Sequence, residues 1–301
     1  LDAMAFLLHP GGEVVTEVSR RQDLNSRDTM RRYWFALRYM AIKDGNGLFS
    51  SMLAPHEPGA IDLAKMMEYP DLNAALPSPE PIPDEYEKDY PRYGITRIRR
   101  GATSAVIMHK GSSRWITMRR GGAVINAVRF SSAFFGKGQF VPTIYEKTDE
   151  IHLFRQQLDA RYYQPIRKKV DTNSWSIMRF MRDKSERCRM NYVGRVREME
   201  NGFEVSISAE GTGGVPLAVE INLRGGGEIE GVDPCPGTRD ALLLKDGFAI
   251  YRMGEDAIRF GPGHNEHAYV QIRGAHGKVL GPSVYITGYT PFKHTLQFEM
   301  Q

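Results

Sequence analysis

From Gly94 onward the chain is cut into short β-prone runs by glycine-bearing turns, and that punctuation limits it to an antiparallel architecture. Ile95 to Arg99, Thr103 to His109, Arg114 to Met118 and Ala123 to Phe130 are separated by Arg100-Gly101, Lys110-Gly111-Ser112 and Arg120-Gly121-Gly122. Glycine admits the left-handed backbone that tight hairpins need, so the spacing predicts a meander. Phe203, Val205 and Ile207 then alternate with Glu204, Ser206 and Ser208, and Leu217, Val219, Ile221 and Leu223 repeat the period of a strand with one buried face. Phe248 to Arg252, Ala257 to Phe260, Ala268 to Arg273, Val284 to Thr287 and Thr295 to Glu299 are further expected strands. So many strands cannot stay in one open twisted sheet. The expected fold is mainly β, a large antiparallel β-sandwich, supersandwich-like, over 94–301.

A helical period precedes it. Pro10-Gly11-Gly12 breaks an apolar opening, and Glu13 to Val18 follows as an extended piece. Met30, Tyr33, Trp34, Leu37, Met40 and Ala41 then fall on one stripe of a helix, with Asp28 as its expected N-cap and Asp44-Gly45 as its stop. A second helix is expected near Ile61 to Met67, with Leu72 and Leu76 in a turn beyond it. This short α-helical segment, 1–76, is expected to be the end of an upstream helical domain. The opening Leu1, followed by Met4, Phe6, Leu7 and Leu8, is expected of a residue inside a longer chain or behind a processing site. Residues 77–93 carry Pro77, Pro79, Pro81, Pro83 and Pro91 among five acidic residues, a composition that excludes helix and central strand and predicts a linker.

Charge is concentrated rather than spread. Between Asp89 and Glu146 no acidic residue occurs, while eight arginines and two lysines do. Either the stretch faces an anionic partner, or its arginines pair with carboxylates from elsewhere in the fold, the acidic block at 77–93 among them. Of the 40 cations in the chain 28 are arginine, whose planar fork matches carboxylate and sulfate-like oxyanions. The net charge is only +4, and no recognition-helix, zinc or RNP-type motif accompanies the basic stretch, so no nucleic acid is expected. No apolar run approaches the roughly 20 residues that span a bilayer, so no membrane partner is expected and the chain should be soluble. Cys188 and Cys235 lack zinc-type spacing and are expected as two buried thiols.

No phosphate-cradling loop, His-Glu-x-x-His or Gly-x-Ser-x-Gly is present. Gly136-Lys137-Gly138 and Gly225-Gly226-Gly227 are expected as turns or bulges. His264-Asn265-Glu266-His267 holds two imidazoles and a carboxylate, but beside a strand starting at Ala268 only a curled loop would turn all three inward. A solvated loop is expected there, with no metal and no cofactor. His109 and His152, in or beside strands, are the usual positions of satisfied structural histidines. Trp115, Phe130, Phe134, Phe135, Phe140 and Tyr145 interleave with arginine, and ring plus guanidinium suits a sugar with an acidic substituent. The same rings would serve as core, the expectation for Phe134 and Phe135; for Trp115 both readings stand.

Closing helices, a proline-rich connector and a large β region with an arginine- and aromatic-rich start resemble the C-terminal half of heparinase II/III-like, toroid-plus-sandwich polysaccharide lyases. Leu7-Leu8-His9-Pro10-Gly11-Gly12-Glu13, Tyr33-Trp34-Phe35, Phe134-Phe135-Gly136-Lys137-Gly138-Gln139-Phe140 and Val215-Pro216-Leu217-Ala218-Val219-Glu220-Ile221 carry the likeness. The resemblance implies a sandwich portion that acts on acidic polysaccharide by β-elimination, that needs an upstream helical domain for full activity, and that is secreted or periplasmic. It implies His109 as the sandwich's catalytic histidine, Asn126 and Arg119 as carboxylate partners, and Arg120, Arg129 and Trp115 as further substrate contacts. A non-catalytic carbohydrate-binding or structural sandwich is the alternative.

Overall fold

The computed structural model describes residues 2–17 and 29–301. It is mainly β, a sandwich of two large sheets with a short helical segment at the N-terminus. Leu1, the end of the extended piece at Val18 and the expected N-cap Asp28 lie outside the described residues. No described helix is long and apolar enough to cross a membrane. Two compact units make up the chain: Leu1–Met108 with Ile116–Val124, and His109–Trp115 with Ile125–Gln301.

In the first unit, α1 (Trp34–Asp44) follows a 3-10 turn, Met30–Tyr33, and stops at Gly45 in the left-handed conformation. Thr29 caps the turn, its Oγ1 accepting from the Arg31 amide. Met30, Trp34, Leu37 and Ala41 of the expected stripe are buried, and they pack with Phe49, Met52 and Leu53 of α2 (Gly47–Leu53). The period missed α2, because a seven-residue helix buried on most sides carries no polar face to set against its apolar one. α3 (Ala60–Glu68) covers the expected second helix.

The proline-rich stretch holds a strand where the composition predicts a linker. Prolines at 77, 79, 81 and 83 and at 91 fence a proline-free run, and that run is β1 (Glu85–Tyr90). It stands first in the strand order and so needs ladder hydrogen bonds on one side only, which is where nearby prolines are tolerated. β2 (Ile95–Arg100), β3 (Thr103–Met108) and β4 (Ile116–Arg120) follow as the expected antiparallel meander. Gly101 and Gly121 turn it at φ of 53° and 46°, a region that disfavours any residue with a Cβ.

β5 (Ala123–Ser132) begins in the first unit and continues into the second. There follow β6 (Gly138–Gln139), β7 (Ile144–Thr148), β8 (Ile151–Tyr163), α4 (Trp175–Met178), β9 (Lys184–Met199), β10 (Gly202–Gly211) and β11 (Pro216–Leu223). The chain ends with β12 (Glu228–Glu230), β13 (Asp233–Pro234), β14 (Ala241–Leu243), β15 (Ala249–Met253), β16 (Asp256–Gly261), β17 (Ser283–Tyr289) and β18 (Phe292–Met300). Within this unit one sheet runs β5-β11-β17-β14-β13, with β6 on β5, and the other runs β12-β15-β16-β18-β10-β9-β8-β7. Ala268 to Arg273 is not a strand but irregular chain, its alternation satisfied by Val270 and Ile272 turning into a small apolar cluster. β8 and β9 form a long hairpin whose outer half is largely exposed, so it lacks the one-sided apolar alternation by which strands are recognised.

Rings from both sheets form the core of the second unit. Trp115 is fully buried, with Phe130 of β5, Phe140 and Phe154 of β8 edge-on at 6.4, 5.7 and 5.0 Å. Gly194 of β9 lies under the indole, where a Cβ would come within 3.0 Å of the ring. Phe134 is buried as expected, whereas Phe135 is 38 % exposed at φ 50°, because the turn into β6 rotates it outward. Cys235 is buried, but Cys188, on the exposed half of β9, is only half-buried, and both thiols are unbridged. Trp115→Ala should lower stability by about 3–5 kcal/mol, the cost of emptying a site walled by rigid rings. Urea unfolding measures this, and a loss below about 1 kcal/mol would mean that the indole is not the centre of this core.

Candidate functional site

In the first unit Arg97 and Arg119 are engaged with partners. Arg97 is completely buried, donating to the carbonyls of Ala105 (2.8 Å), Leu8 (3.1 Å) and Phe6 (3.3 Å) and to Ser104 Oγ (3.1 Å). Arg119, expected as a carboxylate partner, is buried and held by Glu13 at 2.6 Å. Arg120 is half-buried, with its Nε enclosed and unbonded. Beside Arg97, Ser104 Oγ meets His9 Nδ1 at 3.0 Å, and His9 Nε2 meets Glu17 at 3.0 Å, which also accepts from Thr117 (3.1 Å). This serine–histidine–glutamate order matches that of a hydrolase, yet Ser104 has no exposed surface and shares its hydroxyl with a guanidinium. No acyl group reaches it, so the cluster works as an internal polar network.

Burial holds His9 down to about 4, against the pull of Glu17. For Glu17, burial alone would raise the carboxyl, but the hydrogen bond with His9 and the nearby Arg119 and Arg97 outweigh it and hold it well below the usual range.

The remaining expected residues lie in the second unit. Trp115 is the core ring described above and offers no face to a sugar. Asn126 donates to Asn222 Oδ1 across the β5–β11 pair at 3.0 Å. Arg129 is buried and stands directly opposite Glu220 in register, and Glu220 stands opposite Tyr285. Because cross-strand partners share a face, these three form a row on the sheet face opposite to Phe130, Val219 and Ile286. Arg129 Nε donates to Glu220 at 2.5 Å and Nη2 to the Gly277 carbonyl at 3.0 Å, and Ser283 donates to the second carboxylate oxygen at 2.8 Å. The segment after Val270 passes over this row and encloses a cavity of about 270 Å³. Sequence reasoning found Arg129 but none of Glu220, His276, Lys278 and Tyr285, although Glu220 and Tyr285 are polar positions inside apolar strands and were in that sense visible.

His109 belongs to a second grouping. It is buried and stacked flat on Tyr145 at 3.9 Å, and Tyr145 Oη is hydrogen-bonded to the buried His152 Nδ1 at 2.9 Å. Register explains the bond: Tyr145 faces Phe154 and Lys147 faces His152 across β7–β8, so all four side chains share one face and Tyr145 reaches His152 diagonally. β7 is the last strand of its sheet, so this face opens to solvent there and Tyr145 is only half-buried. A histidine hydrogen-bonded to a half-buried phenol can exchange a proton with it, while the stacked His109 touches only the ring face.

The His264–His267 segment turns its groups to other uses. His264 pairs with Glu266 at 2.9 Å, and His267 spans the Gly288 carbonyl (3.0 Å) and the Tyr269 amide (3.2 Å). Among the described residues no cluster of three histidine, cysteine or acidic side chains is arranged to hold a metal. No protein-family model and no curated protein matches this chain.

Stability should fall as the pH drops from about 6.5 toward 4. In that interval the unfolded chain binds a proton at His9 that the folded chain excludes, so acid favours unfolding. The loss assignable to His9 is about 3 kcal/mol, read as the difference in pH dependence of the urea midpoint between the parent and His9→Gln. Identical pH dependence in the two would contradict a buried neutral imidazole.

Proposed function

We propose that this chain is the β-sandwich portion of a polysaccharide lyase-like protein that cleaves acidic, uronic-acid polysaccharide by β-elimination, with helical elements supplied upstream for full activity. The observation that carries this reading is the hydrogen bond between the half-buried Tyr145 hydroxyl and the buried His152, with His109 stacked on the same ring. Elimination needs one group to take the proton on C5 of the uronate and one to protonate the departing oxygen. In this reading His152 Nδ1, 2.9 Å from the hydroxyl, accepts the phenol proton and leaves a tyrosinate oxygen at the sheet edge. That oxygen takes the C5 proton, the C–H electrons form the C4–C5 double bond, and the C4–O bond breaks. Tyr145 then delivers the proton to the leaving oxygen and the pair returns to its starting state. The stacked His109 holds the phenol plane, and Lys147, directly across from His152 in register, puts an ammonium on the same face for the charge that grows on the uronate carboxylate.

A second reading is favoured by burial: His109 and His152 are 7 % and 3 % exposed, as expected of a sandwich that binds an acidic glycan without turning it over. An ultraviolet assay for unsaturated uronate products, run on this chain and on a longer one against a panel of acidic polysaccharides, separates the two. Under the lyase reading Tyr145→Phe lowers the rate by about 10²–10⁴-fold with glycan binding retained. Full activity in Tyr145→Phe would remove the phenol from the chemistry. Binding without product in every form would assign the chain to recognition alone.

A further inference from the structure

The cavity over the Arg129–Glu220–Tyr285 row is a second, separate feature of the second unit, and its construction points to a ligand. A buried ion pair is commonly neutral or unfavourable for stability compared with apolar residues of the same size, so its placement at a cavity wall asks for a use. The loop over the row is pinned by polar bonds rather than packed shut. Arg129 Nη2 holds the Gly277 carbonyl, Gln139 Oε1 takes the His276 amide at 2.9 Å, Ser113 meets His276 Nδ1 at 3.1 Å, and Lys278 donates to the Arg239 and Asp240 carbonyls at 3.2 Å. Ala218, Ile272 and Tyr285 of the apolar cluster give the cavity a nonpolar side.

Unused donors remain along the polar side. Arg129 spends Nε and Nη2 on Glu220 and Gly277, and its Nη1 bonds to no described residue. The Thr238 hydroxyl and the Gln271 amide, which also line the cavity, are likewise without described partners. Burial and then Arg129 hold the His276 imidazole below its ordinary value, so it stays neutral near pH 7. Arg129 and Lys278 against Glu220 therefore leave one positive charge in surplus. Glu220 does not repel an incoming anion strongly, because Arg129 and Ser283 already occupy its oxygens. A single surplus charge with neutral donors suits a monoanion bearing hydroxyls better than a doubly charged phosphate. The volume lies just below that of drug-sized pockets and suits a molecule of about one sugar ring.

We propose that this cavity binds a small hydroxylated monocarboxylate, its carboxylate on the open Nη1 edge of Arg129, its hydroxyls on Thr238 and Gln271, and its apolar face against Ile272 and Tyr285. The site does not depend on elimination at Tyr145, and binding here stands or falls independently of turnover there.

The test is isothermal titration of the whole chain with glucuronate, with glucose as the uncharged match and inorganic phosphate as the competing anion. Saturable glucuronate binding is expected, with glucose weaker by about tenfold and phosphate no tighter than glucuronate. Arg129→Lys keeps a cation beside Glu220 while removing Nη1 and should weaken glucuronate about tenfold. Lys278→Gln, at an exposed position, leaves the buried pair intact and should weaken it about threefold, so a folding defect in the first variant does not shelter the proposal. Absence of saturable glucuronate binding, equal binding of glucose, tighter binding of phosphate, or unchanged affinity in a folded Lys278→Gln would each overturn it.

Discussion

A guanidinium withdrawn from water is stabilised by oxygens that take its donors, and that pull positions Arg97, Arg119 and Arg129 of the acid-free basic stretch. Without a local carboxylate, each buried arginine has to reach across sequence. Arg97 takes three backbone carbonyls, two of them from the opening segment, and so ties that segment to β2 and β3. Arg119 takes Glu13, more than a hundred residues away, and Arg129 takes Glu220. Lysine could not substitute, since one ammonium cannot face carbonyls in several directions from a fixed plane. The excess of arginine over lysine thus has a structural use in each unit.

The same pull shapes what the second unit can do. Where each guanidinium nitrogen has a partner, as at Arg97, the result is a closed interior. Where one edge is left open, as at Arg129, the result is a cavity with a directed donor. The Tyr145 grouping follows different logic, resting on an edge strand where an inward face meets solvent. The two proposed chemistries thus rest on different parts of one sandwich, anion binding on the face opposite its aromatic core and proton transfer at the rim of its other sheet.

Much of the fold was legible because short-range periods carry it. The hairpins at Gly101 and Gly121, the stripe Met30, Trp34, Leu37 and Ala41, and the alternation from Phe203 to Ile207 each declare their conformation within a few residues. What failed did so where tertiary context overrides local signal. β1 sits in a proline-rich segment because an edge strand tolerates prolines at its ends, and Ala268 to Arg273 alternates like a strand while covering a sheet face instead. The candidate sites were less legible still. Arg129 and His109 stood out by charge and type, but Glu220, Tyr145 and His276 join them only through register and loop path, neither of which is written in spacing. Trp115 shows the converse, a residue suited by chemistry to a sugar and committed by packing to the core.

A double-mutant cycle across Arg129 and Glu220, followed by urea unfolding, tests most directly whether a distant carboxylate holds the basic stretch in place. Arg129→Met and Glu220→Leu alone should each cost about 3–5 kcal/mol by stranding a buried charge, and the double variant should cost far less than their sum. Single costs below about 1 kcal/mol, or costs that simply add, would show that the guanidinium and carboxylate are not coupled and would contradict this picture.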